Sequence, residues 1–171
     1  MPRFLRTVRL DVSDTHVFER AAEPGEWAVP GGFAFCEMEP EEITGKRRQA
    51  FANGFLSLQS FGRASLVEVA QIGKGELEGL VQALAAHFVA LYGAPDMAAA
   101  LPVARGEIAF ASELAQGQPL DTLLAVSRGH DESGGIREAF RLVKRPDGAP
   151  ATHARIWDVV EEGAARGGSD G

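Results

Sequence analysis

Apolar residues recur at helical spacing along the middle of the chain. Leu77, Leu80, Val81, Leu84, Phe88 and Leu91 fall on one side of a helix that starts at Glu76 and runs to Tyr92. Such a stripe must be covered, so this helix is expected to seal one side of a pleated layer. Gly79, Ala83, Ala86 and Ala90 recur at the same spacing on the opposite side. That side reads in two ways: as an alanine-rich solvent face, since alanine is helical without a partner, or as the seat of a second helix, from this chain or a second copy. The preceding run Ala64–Ile72 is short and rich in β-branched and aliphatic residues, as a largely buried strand is. Earlier still, Ala50, Phe51, Phe55 and Leu58 predict a helix over Lys46–Ser60, which Gly54 weakens by roughly 1 kcal/mol relative to alanine.

On the amino-terminal side, Phe4–Leu10 alternates large apolar residues with Arg and Thr, and Thr15–Arg20 is expected to return beside it as a hairpin after the Asp11–Asp14 turn. Pro24-Gly25 and Pro30-Gly31-Gly32 leave Glu26–Val29 as a short extended piece, and a strand is expected over Phe33–Glu37. Past Gly93, a helix-terminating glycine, Pro95-Asp96 opens a helical turn through Ala100. Pro102 then heads a further helix to Gln116, with Val103, Phe110, Ala111 and Leu114 on its apolar side. Thr122–Ser127 is apolar on both faces, as an interior strand is. Ile136–Val143 alternates instead, with Ile136, Phe140 and Leu142 facing one way and Arg137 and Arg141 the other. The order β-β-β-α-β-α-α-β-β predicts an α+β fold, a mainly antiparallel sheet with helices packed on one face. Residues 1–162 are expected to form one domain, with Ile156–Val160 docked on the body and residues 163–171 as a disordered tail.

Composition narrows the class. At 171 residues, 45% hydrophobic and 24% charged, the chain has the make-up of a globular domain. A net charge of -7 opposes phosphate-backbone binding, so nucleic acid is not an expected partner. No run reaches the roughly 20 apolar residues that span a membrane, and no targeting segment precedes Asp11 and Asp14, so a cytoplasmic protein is expected. The single cysteine, Cys36, forms no internal disulfide and fits a reducing compartment; it reads as a structural thiol, since a nucleophile would need a histidine to lower its pKa.

Candidate chemistry is sparse. Glu107 falls inside the apolar stripe of its helix, where burial would raise its pKa and suit it to general acid or base work; a rotated helix or an ion pair with Arg63 or Arg105 is the structural alternative. His87 sits at the margin of the long helix's stripe and is the one candidate to couple with Glu107. Gly73-Lys74-Gly75 lies between strand and helix, where phosphates bind helix amides, but Glu76 and Glu78 would repel one. His130-Asp131-Glu132, and Asp14 with His16, carry ligand-type side chains without metal-ligand spacing, and His153 stands alone, so neither a metal nor a cofactor is expected.

The segments Phe18–Phe35, Gly45–Gly62 and Glu107–Phe110 resemble a family of small alphaproteobacterial proteins of unknown function. The resemblance covers the chain to about Val143 and implies a bacterial cytoplasmic protein, accessory to a redox enzyme. It carries over no activity. The leading expectation is a non-enzymatic accessory or interaction protein, acting as a homodimer or beside a larger partner. The alternative is a small-molecule binding protein or enzyme whose pocket, between helices and sheet, uses Glu107 and His87.

Overall fold

The computed structural model describes residues 1–145. The expected docking of Ile156–Val160, His153 and the tail at 163–171 lie outside that span. Seven strands form one antiparallel sheet: β1 (Arg3–Val8), β2 (Trp27–Val29), β3 (Phe55–Ser57), β4 (Arg63–Ala64), β5 (Leu66–Gln71), β6 (Leu123–His130) and β7 (Ile136–Val143). Their order is β4-β3-β2-β1-β5-β6-β7. Four helices accompany them: α1 (Ser13–Val17), α2 (Lys46–Asn53), α3 (Lys74–Leu91) and α4 (Met97–Gln116). The fold is α+β, with β2, β1 and β5 at the centre of the sheet.

The register explains where the core lies. Leu5 faces Val69 and Ala28, and Val67 faces Leu124, so these residues and Val126 share one side of the sheet. They form the main core with Leu80, Val81, Leu84 and Phe88 of α3 and with Ala100, Ala104, Ile108, Ala111 and Ala115 of α4. The α3 stripe is buried as its spacing requires from Leu80 to Phe88; Leu77 is half-buried, and Leu91 is 68% exposed past the end of the layer. Gly79, Ala86 and Ala90 are exposed, and α4 packs on the other side of α3.

The inward face of α4 is built of four alanines and Ile108; of the residues its spacing singled out, Ala111 is buried and Leu114 packs half-buried on the core, whereas Val103 and Phe110 are 55% and 41% exposed. Alanines let the helix axis lie close to the sheet, close enough for Ser112 Oγ to donate to the Arg3 carbonyl at 3.0 Å. Pro102 does not head this helix. Asp96 caps it six residues earlier, accepting from the Ala99 amide at 2.9 Å, and Pro102 lies inside it. Burial of Ala100 and Ala104 on either side outweighs the roughly 3 kcal/mol handicap of an interior proline.

Three expected elements take other forms. Thr15–Arg20 does not pair with β1, because Ser13–Val17 turns as α1 and buries Asp14 and Phe18. Phe33–Glu37 is no strand: Gly31, at φ 78°, turns the chain into a 3-10 turn over Gly32–Phe35. The helix from Lys46 stops at Asn53, and Gly54 turns the backbone extended so that Phe55, Leu56 and Leu58 enter the sheet side of the core. Helix α2 fills a notch. Strand β6 runs on to His130, whereas β5 pairs only with Leu123–Ala125, and Asn53 Nδ2 donates to the Val126 carbonyl at 3.3 Å.

The two sheet edges differ. At one end β4 is two residues long and bridged by Ala21. At the other, β7 offers eight residues, and no strand among the described residues pairs with its outer side.

Candidate functional site

Glu107 stands at the border of the buried face of α4, as the rotated-helix alternative anticipates. It lines a cavity of about 250 Å³ with Gly32, Phe33, Cys36, Phe110 and Glu138. Burial, and then the charge of Glu138, hold the Glu107 carboxyl above the usual glutamate range. No ion pair relieves it among the described residues: Arg105 binds Glu78 at 2.8 Å, and Arg63 is turned to backbone carbonyls.

Behind Glu138 are two buried arginines that tie the cavity's walls together. Arg128 Nε donates to Glu138 Oε2 at 2.6 Å, and Arg128 Nη1 donates to the Phe51 and Gly54 carbonyls at 2.9 and 3.0 Å. Its Nη2 donates to the Pro30 carbonyl. Arg63 Nη1 donates to the Gly31 and Gly54 carbonyls at 3.3 and 3.1 Å, and its guanidinium lies 5.0 Å from the centre of the Phe35 ring. The planar fork of donors suits this work, because one side chain satisfies several carbonyls that a turn and a helix end leave unpaired. Burial, reinforced by the charge of Arg128, lowers the Arg63 pKa to about 9, so Arg63 stays protonated at neutral pH.

Sequence reasoning missed Arg128 and Glu138. Their signal is the strand period of two: Arg128 follows Leu124 and Val126 on the buried phase of β6, and Glu138 sits between Ile136 and Phe140 on the same phase of β7. A charge on a buried phase demands a partner.

The expected partner of Glu107 is elsewhere. His87 does not line the Glu107 cavity; it stacks on Phe61 with ring centroids 3.8 Å apart and lies 5.5 Å from Tyr92. Burial holds its pKa below the ordinary histidine value, which favours the neutral ring. Phe61 takes φ 58°, a left-handed conformation uncommon for an aromatic residue, and the stack on His87 is among the contacts that hold it. Cys36 does line the cavity and is exposed on the 3-10 turn. Burial, with Glu107, Glu37 and Glu138 around it, pushes its thiol pKa up, which makes it a poor nucleophile.

The remaining candidates lie outside the Glu107 cavity. Asp14 is buried and accepts from Ser65, while His16 is exposed on the same short helix. Asp131 accepts from the Ser133 and Gly135 amides at 3.0 and 2.7 Å, closing the β6–β7 turn, and His130 stacks on Phe51 at 4.7 Å. The Gly73 turn is closed by Glu76, which accepts from its amide at 3.3 Å. Among the described residues no group of three His, Cys, Asp or Glu side chains is placed to hold a metal ion.

A family model described as a family of unknown function, DUF6505, matches residues 1–157. The chain belongs to that family. The DUF6505 match spans every element described above, including Glu107, both buried arginines and all of β7. No curated protein and no solved structure matches the chain. No helix of the described residues is long and apolar enough to cross a membrane.

Proposed function

We propose that this DUF6505 protein is a non-catalytic accessory module of the bacterial cytoplasm that receives an extended, acidic segment of a larger partner protein along β7. The observation that carries this reading is the eight-residue outer edge of β7, with which no strand among the described residues pairs. An unpaired strand edge is a template for a further strand, and proteins that do not use one usually shorten or cover it, as this fold does at β4. Beside β7, Phe110 of α4 packs 6.0 Å from Phe140 while remaining 41% exposed, so an apolar strip adjoins the edge.

Charge selects the occupant. Arg137, Arg141 and Lys144 form no salt bridge among the described residues, on a chain whose net charge is -7. A second copy is the poorer fit. Symmetric antiparallel pairing joins like face to like face, so Glu138, on the other face and bound to Arg128, does not meet the arginines. A register centred on Ala139 would set Arg137 opposite Arg141, like charges that destabilise a pair. A segment alternating Glu with Val supplies acids to the arginines and aliphatics to Ile136, Phe140 and Leu142.

The test is fluorescence anisotropy of a labelled decapeptide alternating Val and Glu, with hydrogen exchange on the β7 amides. Saturable binding, slowed exchange over residues 136–143 and about tenfold weaker binding to Arg137→Glu are expected. Protection of β7 in the free protein, unchanged by dilution or peptide, would overturn the reading in favour of this chain's own remaining residues. Protection lost on dilution would assign the edge to a second copy.

The second reading, a small-molecule site, keeps Glu107 and loses His87. It is favoured by the cavity that places Glu107 and Glu138 together between Phe33 and Phe110. Saturation of Glu107 by an organic amine, followed by its carboxyl carbon resonance, tests it.

A further inference from the structure

The side of the sheet turned away from α3 and α4 carries a second cleft, separate from the Glu107 cavity. Its volume is about 310 Å³, at the lower end of the roughly 300–1,000 Å³ of ligand pockets. Helix α1 contributes Asp14, α2 contributes Gln49, and Leu66, Ala125 and Val143 line it from the sheet together with Arg141. Those three apolar residues belong to a small cluster distinct from the main core.

Two opposite charges line this cleft without meeting. Asp14 is only 4% exposed, and it accepts from the amide and Oγ of Ser65 at 3.1 and 2.7 Å. Those bonds fasten α1 to the strand and take one acceptor position on each oxygen, where a carboxylate has about four in all. No Lys, Arg or His among the described residues forms a salt bridge with Asp14, and Arg141 forms none either. A buried carboxylate with no salt bridge among the described residues favours a cation, and a guanidinium on the same cleft favours an anion. A ligand with one charge would leave the other side chain unmatched; a dipolar ligand matches both.

We propose that this cleft binds a free aliphatic amino acid. The ammonium sits on Asp14, the carboxylate on Arg141, and the side chain on Leu66, Ala125 and Val143. The amide of Gln49, which makes no hydrogen bond among the described residues, is a further polar group for the backbone atoms of the ligand.

Isothermal titration of the full chain with L-leucine tests this, beside 4-methylpentanoate and isoamylamine, the same skeleton with one charge removed. Saturable binding of leucine is expected, about tenfold weaker for each truncated compound and about tenfold weaker for Arg141→Gln and Asp14→Asn. Asp14→Asn also disturbs the tie to Ser65, so a circular dichroism melt accompanies it; if that variant does not fold, the exposed Arg141 carries the test. Leucine that does not bind, 4-methylpentanoate that binds as tightly as leucine, or leucine affinity unchanged in Arg141→Gln would each overturn the proposal. Arg137→Glu, which disrupts the β7 edge, is expected to leave leucine binding unchanged, so this inference and the strand-docking reading fail separately.

Discussion

Arg128→Ala is the substitution that most directly probes what holds the Glu107 cavity together. It removes the donor to the Phe51, Gly54 and Pro30 carbonyls and leaves Glu138 without its cation. Gly54 keeps its bond from Arg63, so two carbonyls and one carboxylate lose their partner. A buried acceptor left unsatisfied loses about 1–3 kcal/mol, and breaking a buried pair on one side loses about 3–5 kcal/mol. These losses overlap, because Glu138 is partly exposed and rehydrates. The expected destabilisation is about 4 kcal/mol, a large share of the roughly 5–15 kcal/mol that holds a domain folded. For a chain of this length it corresponds to a fall in Tm of roughly 8–16 °C. Urea unfolding followed by tryptophan fluorescence reads the change, and Arg128→Met combined with Glu138→Gln should recover part of it, since no charge is then stranded. A loss under about 1 kcal/mol for Arg128→Ala would refute the claim that this arginine fastens the Pro30 turn to α2.

Three further outcomes are expected. Glu107, whose folded pKa is raised, binds more protons folded than unfolded between its unfolded value and its folded one, so its contribution to stability falls as pH rises through that window; Glu107→Gln should raise Tm at neutral pH and change it little below about pH 4, by differential scanning fluorimetry. Gly31→Ala should destabilise by about 2–3 kcal/mol in urea, because φ is 78° there and a Cβ would meet Leu56 Cβ at 2.6 Å. Pro102→Ala should stabilise by about 1–3 kcal/mol in the same assay, since it restores an amide donor on an exposed face of α4.

The periodicity of the chain was enough to place β1, β5, α3, β6 and β7, because each buries a regular phase of its own residues. Leu80, Val81, Leu84 and Phe88 announce a covered face wherever the cover comes from, and the alternation of Ile136 with Arg137 announces two unlike sides. Local pattern also marked Glu107 as a carboxylate out of place. Other features were settled only by residues distant in sequence. Asp14 turns as helix because Ser65, 51 positions on, supplies its donors. Pro102 stays inside α4 because the sheet takes Ala100 and Ala104. The cavity at Glu107 exists because Arg128 reaches across 77 residues to Phe51 and 98 to Pro30. Helical and strand periods report which side of an element is buried. They carry no record of which carbonyl a guanidinium will find there, since that is fixed by loop closure and register across the whole sheet.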